Sequence, residues 1–303
     1  MSNGIGKSVR ARLLNISKTY GEKDGFMKLL VRYLHERLIY RISVSKYREN
    51  FFLKGGSLLF AYSGMKGRPT QDIDFLAAKI SRDAARLKEI FAEICQIACE
   101  EDGVIFDAAS IRTAEITQER KYPGTRVIIV AHLDTIVQQI SADIGFGDVI
   151  VPAPIDLDYP VFLDTTPPIS IKAYSLETVV AEKFHAMVEK DTENSRMKDF
   201  FDCYQILKNQ SNLIDEAVLE DAIRATFENR DTVIADNLQL FTDAFSNDDF
   251  RNSLWKNFLK KINWQDQIEF AEVMKVIQNR LGRFVVTFAY LAEYQHVNTV
   301  TTK

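Results

Sequence analysis

Apolar residues recur at helical spacing in several long stretches of this chain. In one stretch, Phe26, Leu29, Leu30, Tyr33 and Leu34 follow the i, i+3, i+4, i+7 pattern of a single helical face. The same criterion marks further helices at residues 81–101, 175–190 and 196–208, and a mostly helical tail to about residue 294. Glycine and proline are scarce, with 13 and 7 residues, which favours long helices. The pattern therefore predicts a helix-rich protein.

Other segments have the pattern of β-strands. Residues 126–144 contain two β-rich runs, which predict neighbouring strands of one sheet. Further upstream, the alternation in TQDIDFL places Asp72 and Asp74 on one face of a strand, and Ile73 and Phe75 on the other. We therefore expect an α/β (α+β) fold, with a small mixed sheet flanked by helices in the N-terminal half.

Proline is concentrated in one segment, which contains Pro152, Pro154, Pro160, Pro167 and Pro168. Proline disfavours helix and removes a backbone donor, so this segment predicts an irregular connection. We place the domain boundary here. The prediction is an N-terminal domain over residues 1–151, a proline-rich connection over 152–170 and a helical C-terminal domain over 171–303.

The composition is that of an ordinary globular protein, with 46% hydrophobic and 26% charged residues. The net charge of −4 excludes a global basic field, so any contact with nucleic acid requires a local basic patch. Three cysteines, an odd number, argue against a disulfide framework. The start lacks the apolar stretch of a signal peptide, and no run of about 18 apolar residues is present. We therefore expect a cytoplasmic protein with no membrane-spanning segment.

Paired acids and a glycine-rich turn form the first candidate site. Asp72 and Asp74 on one strand face repel each other unless water or a cation separates them, and magnesium suits such a pair. Acids at this spacing are also common on solvated strands. Gly55, Gly56 and Ser57 precede a helix that we expect to begin at Leu58, and a helix start with small residues binds phosphate through free N–H groups. Alone, such a triplet is more often a cap or a turn.

A third carboxylate on a neighbouring strand would complete a magnesium site. Asp143 is our candidate, because alternation places it on one strand face with Gln139 and Ser141. Asp134 and Asp148 are competitors, and the glycines near Asp148 favour a turn there.

The two helices after the proline segment contain further candidate residues. Lys183 lies inside the apolar stripe of its helix, where lysine is uncommon unless it is paired or functional. The alternative is that Lys183 lies at the edge of the stripe and extends its ammonium group to water. In the next helix, Asp199 and Asp202 lie off the apolar face. Surface ion pairs of Asp199 with Arg196, and of Asp202 with Lys198, would explain all four charges.

Taken in order, these motifs resemble a known family. Gly56-Ser57 followed by Asp72-x-Asp74 resembles the G-S…D-x-D signature of the polymerase-β-like nucleotidyltransferase superfamily. More closely, LKGGSLLFAYSG, RPTQDIDF, DIGFGD, YSLETVVAEKFHAM and NSRMKDFFD resemble the AbiEii/AbiGii-type toxins, with the MenT toxins as relatives. These are nucleotidyltransferases of bacterial type IV toxin–antitoxin and phage-defence systems.

The resemblance implies a magnesium-dependent transfer of a nucleotide from an NTP to an acceptor, the 3′ end of tRNA, with a cognate antitoxin as a candidate partner. The N-terminal domain would be the nucleotidyltransferase core. The implied metal ligands are Asp72 and Asp74, with Asp143 as the third carboxylate. The implied roles of the other residues are catalysis for Asp72, Asp74, Lys183 and Asp199, and nucleotide binding for Gly55, Gly56, Ser57, Arg196 and Lys198.

Two alternatives remain open. A metal-dependent nuclease also needs clustered acids and a lysine, and Glu119 with Lys121 is a poor candidate for its acid-x-lysine pair. A non-catalytic protein-binding module would use the acids to bind a basic partner. The basic residues that could contact RNA phosphates, each more typical of a solvated surface, are Arg10, Arg12, the stretch Arg37–Arg48, Arg120 and Lys121.

Overall fold

The computed structural model describes residues 3–19, 25–64, 67–116, 123–233 and 238–300. The chain forms two compact units. The sheet unit comprises Met1–Asp148 and Pro154–Tyr174, and the helical unit comprises Val149–Ala153 and Ser175–Lys303.

The sheet unit contains four helices and seven strands in its described part. The helices are α1 (Asn3–Thr19), α2 (Gly25–Ser43), α3 (Gly55–Tyr62) and α4 (Ala84–Cys95). The strands are β1 (Phe51–Lys54), β2 (Asp72–Ala77), β3 (Val104–Ile116), β4 (Gly124–Leu133), β5 (Ile136–Phe146), β6 (Ile155–Tyr159) and β7 (Ile169–Ala173). Two short 3-10 turns lie at Arg48–Asn50 and Glu100–Asp102.

The seven strands form one mixed sheet in the order β3-β4-β5-β2-β1-β7-β6. β2 pairs in parallel with β5, and β1 in parallel with β7, while the other neighbouring pairs are antiparallel. The two β-rich runs predicted within 126–144 are the adjacent strands β4 and β5. The prediction of a mixed α/β fold is confirmed.

The two faces of the sheet differ in burial, which follows from the alternation in β2. Ile73 and Phe75 are fully buried, and Phe75 packs edge-to-face on Phe51, which in turn contacts Phe91 of α4. Asp72 and Asp74 lie on the opposite face and are half-buried. One face of the central strands therefore builds the core, and the other presents polar groups.

The proline-rich segment differs from the predicted irregular connection. It contains β6 and β7, which pair antiparallel and extend the sheet beyond β1. Proline is compatible with this arrangement because all five prolines lie outside the two strands, where no ladder donor is lost. The segment 154–174 belongs to the sheet unit.

The helical unit contains α5 (Leu176–Lys190), α6 (Met197–Asn209), α7 (Glu216–Asn229), α8 (Asp243–Ser246), α9 (Asp249–Lys261) and α10 (Phe270–Val300). Side-chain caps fix the helix starts: Ser175 accepts a hydrogen bond from the N–H of Thr178 before α5, and Asp215 caps α7 in the same way. Phe200 of α6 packs edge-to-face on Phe270 of α10. Aromatic packing therefore joins helices that are distant in sequence.

Part of the basic stretch predicted as an RNA contact is buried. Arg37 is inaccessible to solvent and Arg41 nearly so. The Arg41 guanidinium donates to Asp102 Oδ2 at 2.7 Å and to the Val104 carbonyl at 3.0 Å. Both arginines are therefore inaccessible to RNA, and the prediction that they contact it is wrong for both. Within the described ranges, the helices include none long and apolar enough to cross a membrane.

Candidate active site

Strand register places four charged residues side by side on the polar face of the sheet. Asp74 of β2 lies opposite Asp143 of β5 and, on its other side, opposite Lys54 of β1. Arg126 of β4 lies opposite Asp143. The charged row therefore runs Arg126, Asp143, Asp74, Lys54 across four strands, and Asp72 lies on the same face of β2 as Asp74.

Arg126 links two of the carboxylates. Its Nε donates to Asp143 Oδ1 at 2.7 Å, and its Nη2 donates to Asp143 Oδ2 at 2.8 Å and to Asp72 Oδ2 at 3.2 Å. The hydrogen bonds to Asp143 raise the pKa of Arg126, as do the charges of Asp143, Asp72 and Asp74, so the guanidinium is always charged. Ser141 on β5 also donates to Asp72 Oδ1.

Of the three candidates for the third carboxylate, Asp143 is the one beside Asp74. Asp148 accepts a hydrogen bond from Lys54 Nζ at 2.7 Å, and the same ammonium lies 3.2 Å from the Tyr174 hydroxyl. Asp134 lies in the turn between β4 and β5 and pairs with Arg10 at 3.0 Å. The geometry therefore favours Asp143 over both competitors.

Gly55 joins the glycine-rich turn to the acid pair. Helix α3 begins at Gly55, three residues before the predicted start at Leu58. Gly55 has a left-handed φ of +65°, which glycine tolerates. A Cβ at this position would lie 2.1 Å from Asp74 Oδ2. The absence of a side chain therefore allows Asp74 to lie directly against the start of α3.

Gly56 makes a second close contact of this kind. A Cβ there would lie 2.9 Å from Thr70 Cβ, and Thr70 donates through its hydroxyl to the backbone carbonyl of Asp72 at 3.0 Å. Ser57 is buried in the first turn of α3. Gly55, Gly56 and Ser57 form the first turn of α3, where N–H groups have no intrahelical acceptors, and Gly55 lies against Asp74.

A second charged cluster lies within the helical unit. Lys183 of α5 donates to Asp199 Oδ1 at 3.0 Å and to Asp202 Oδ2 at 2.8 Å, and Arg196 donates to Asp199 Oδ2 at 2.7 Å. Both aspartates are buried, contrary to the prediction that they lie off the buried face of α6. Burial alone would raise the pKa of Asp199, but the charges of Lys183 and Arg196 outweigh it and lower the pKa to about 2.

The remaining predicted residues have simpler surroundings. Lys198 is exposed on α6, and Arg10 and Arg12 lie on α1, where Arg12 donates to the Thr165 hydroxyl at 2.8 Å. Glu119, Arg120 and Lys121 lie outside the described residues.

Sequence reasoning missed Arg126 and Lys54. A signal for Arg126 was present, because β4 and β5 are joined by a two-residue turn at Asp134-Thr135. If the residues on either side of the turn pair with each other, the antiparallel register then pairs position 126 with position 143. Lys54 has no comparable signal, since its partner Asp148 is distant in sequence.

The donor set fits magnesium in its chemistry. Asp72, Asp74 and Asp143 supply carboxylate oxygens, which magnesium prefers, and one or two such ligands suffice where substrate phosphates supply the rest. In the described part of the chain, no three histidine, cysteine or acidic side chains are arranged to hold a metal ion by themselves. Arg126 offers a physical reason, because it engages both oxygens of Asp143.

A glycine-rich helix start packed against paired carboxylates on a mixed sheet is typical of one class of protein, the enzymes that act on phosphate esters. Residues 37–276 match the model of the family described as nucleotidyl transferase AbiEii toxin, type IV toxin–antitoxin system. The chain belongs to this family and is a nucleotidyltransferase.

Two solved structures resemble the chain at low sequence identity. JHP933 from Helicobacter pylori is 14% identical, with a TM-score of 0.45 over 91% of this chain and 98% of that one. A second H. pylori protein, assigned as a nucleotidyltransferase, is 13% identical, with a TM-score of 0.41 over 80% of this chain and 99% of that one. No curated protein matches the sequence.

Proposed function

We propose that the protein transfers a nucleotide from an NTP to the 3′ end of tRNA, in a magnesium-dependent reaction that makes it a toxin in the cytoplasm. The observation that carries this proposal is the contact between Gly55 and Asp74. It brings the first turn of α3 and the acid pair of β2 together, so one group of residues can receive a triphosphate and its metal.

The residues of the sheet unit have distinct roles in the proposal. The N–H groups of Gly55, Gly56 and Ser57 bind phosphate oxygens, since the start of a helix carries a partial positive charge. Asp72 and Asp74 hold magnesium, with Asp143 as a third oxygen ligand. Magnesium held by these residues would supply positive charge to the triphosphate and to the departing pyrophosphate. Positioning and electrostatics then account for catalysis, without a covalent intermediate.

The roles of the helical unit rest on the family resemblance. We assign Lys183 and Asp199 to catalysis, and Arg196 and Lys198 to contacts with the nucleotide. Lys183 and Asp199 are hydrogen-bonded to each other, so their roles are coupled. The membership in a type IV toxin–antitoxin family also supports an antitoxin as a partner. Arg10 and Arg12 on α1 are our candidates for RNA contacts.

The test of the proposed function is transfer of label from each α-³²P-labelled NTP to purified tRNA with magnesium present. One control is tRNA whose terminal 2′,3′-diol has been oxidised with periodate, which removes the acceptor hydroxyl. We expect label on intact tRNA, none on the oxidised tRNA, and none after magnesium is chelated. Shortened, unlabelled tRNA would indicate a nuclease, and label on a protein would contradict the tRNA acceptor.

Ligand binding offers an independent test that needs no acceptor. A ligand that binds the native state raises stability by RT ln(1 + [L]/Kd), about 2.7 kcal/mol at roughly a hundredfold excess over Kd. We expect NTP with magnesium to raise the melting temperature, and Asp74→Asn to remove most of the shift. A curve unmoved by magnesium and all four NTPs would contradict nucleotide binding at Gly55–Ser57 and favour a binding module.

A further inference from the structure

Arg126 occupies an unusual position for an arginine in an ion pair. It contacts carboxylates of two different strands, Asp143 of β5 and Asp72 of β2. Both belong to the set of acids that we propose as metal ligands. The positive charge of Arg126 is therefore present where the proposed function requires magnesium.

Arg126 is more exposed to solvent than the arginine of a buried ion pair in the same unit. Its side chain is 39% exposed, and the side chains of Asp72 and Asp143 are 32% and 17% exposed. In the Arg41–Asp102 pair of the same unit, the two side chains are 2% and 0% exposed, and Arg41 also donates to backbone carbonyls. Arg41 is held by its surroundings on every side. Arg126 reaches solvent and can change partners at a much lower cost.

Arginine and magnesium compete for the same oxygens. A carboxylate oxygen that accepts a charge-assisted hydrogen bond from a guanidinium is less available to a metal ion, and both oxygens of Asp143 accept from Arg126. The planar guanidinium of arginine forms paired hydrogen bonds with phosphate as well as with carboxylate. A guanidinium released from Asp143 beside an NTP therefore has a second partner of the same geometry.

We propose that Arg126 is an exchangeable counter-ion: it pairs with Asp72 and Asp143 when no metal is bound, and it exchanges these carboxylates for the triphosphate when magnesium and NTP arrive together. The inference rests on the proposed function for the identity of the ligands. Arg126 thus has one role before ligands bind and a second role, a direct contact with the substrate, afterwards. It keeps the acids from repelling one another in the empty enzyme, and it makes metal binding depend on nucleotide.

The scheme predicts effects of opposite sign on two affinities. Arg126→Gln removes the competitor, so Mn²⁺ without nucleotide should bind about tenfold more tightly than to the wild type. The same variant loses a phosphate contact, so NTP in the presence of metal should bind about tenfold more weakly. An ion pair with only a structural role would give neither the tighter metal binding nor this pair of opposite changes.

The test is a calorimetric titration of the full-length protein with Mn²⁺ in the absence of nucleotide. The matched control is Arg112→Gln, because Arg112 lies on the same sheet face but pairs with the neutral Gln139. We expect Arg126→Gln to bind Mn²⁺ more tightly, and Arg112→Gln and Arg126→Lys to stay near the wild type. Unchanged or weaker Mn²⁺ binding by Arg126→Gln would overturn the inference.

Failure of the inference is distinguishable from failure of the proposed function. A wild type that labels tRNA, together with an Arg126→Gln variant whose Mn²⁺ affinity is unchanged, would overturn the counter-ion role alone. A wild type that neither binds Mn²⁺ nor labels tRNA would overturn both.

A second measurement serves if Arg126→Gln fails to fold. The NMR resonance of the Arg126 Nε–H is then followed in the wild type. A shift on adding Mg²⁺ with a non-hydrolysable NTP supports the exchange, and an unmoved resonance refutes it.

Discussion

The charged row of the sheet unit and the Lys183 cluster of the helical unit combine similar charges in different surroundings. Both bring a basic side chain to two aspartates. In the row, Arg126, Asp72 and Asp143 are 39%, 32% and 17% exposed. In the cluster, Lys183 is 12% exposed, and Asp199 and Asp202 are 5% and 2% exposed.

This difference determines what each group can do. A partly exposed ion pair contributes little to stability, because water competes with each charged group for the other. A side chain in such a pair can therefore exchange its partner for a ligand. A buried pair is costly to break, because an uncompensated charge remains in a medium of low polarity. We therefore expect substitutions in the row to affect chemistry more than folding, and substitutions in the cluster to affect folding as well.

The largest expected effect concerns the acid pair of the row. Asp72→Asn and Asp74→Asn should each lower nucleotide transfer by about 10³-fold or more, equivalent to about 4 kcal/mol of transition-state stabilisation. The free energy of unfolding should change little, because both side chains are half-buried. Steady-state transfer and urea unfolding measure the two quantities. Glu115→Gln, at an exposed acid of β3, is the control, and a tenfold loss or less in both variants would contradict the assignment.

The next effect concerns the cluster. Lys183→Met leaves Asp199 and Asp202 buried without their shared cation, so it should lower the free energy of unfolding by about 3–5 kcal/mol. Adding Asp199→Asn and Asp202→Asn should restore much of that stability. Urea unfolding of the single and triple variants tests this expectation.

The same variants also test the catalytic assignment of Lys183. If the triple variant folds stably, its transfer activity should remain lost, because both proposed catalytic groups are replaced. Recovery of transfer in parallel with stability would show that the cluster supports folding alone.

A smaller effect tests the contact that joins α3 to the row. Gly55→Ala requires a left-handed φ for alanine, which costs about 1–2 kcal/mol, and also places a Cβ against Asp74. Gly64 is the matched control, since its φ is +59° and nothing lies within 4 Å of its Cβ position. We expect Gly55→Ala to be the more destabilising variant and the one that loses transfer. Equal destabilisation by the two substitutions would argue against the Gly55–Asp74 contact.

The smallest effect is the response of the cluster to acid. The pKa of Asp199 is lowered from 3.8 to about 2, so the native state binds this proton less readily than the unfolded chain. The resulting stabilisation, about 2 kcal/mol, is complete above about pH 5 and is lost progressively as the pH falls through 2. Unfolding measured between pH 5 and 2 should therefore show a shallower loss of stability in Asp199→Asn. An identical slope in both proteins would contradict the lowered pKa.

The sequence was sufficient to predict features that depend on local periodicity. The alternation in TQDIDFL placed Asp72 and Asp74 on one face, and the β-rich runs located β4 and β5. Apolar spacing likewise predicted α5 and α6. Each of these patterns repeats within a few residues, so the chain carries the information locally.

The features that sequence reasoning missed depend on contacts between distant segments. Arg41 is buried because Asp102, 61 residues away, neutralises it. Asp202 is buried because Lys183 reaches it from another helix. Gly55 has a left-handed φ, and the absence of a side chain there leaves room for Asp74, which comes from another strand. Charge and glycine are ordinarily signs of surface and turn, so only the tertiary partner reveals a different role in each case.

The parallel pairing of β2 with β5 has a consequence for the newly synthesised chain. Ser141 and its partner Asp72 are 69 residues apart, and the intervening chain forms α4, β3 and β4. A ribosome thus completes the acid pair long before it produces Arg126 and Asp143, and parallel pairing cannot form until β5 has emerged. A nascent or prematurely terminated chain that ends before Ile136 has no assembled charged row. The order of synthesis therefore delays assembly of the charged row until most of the sheet has been made.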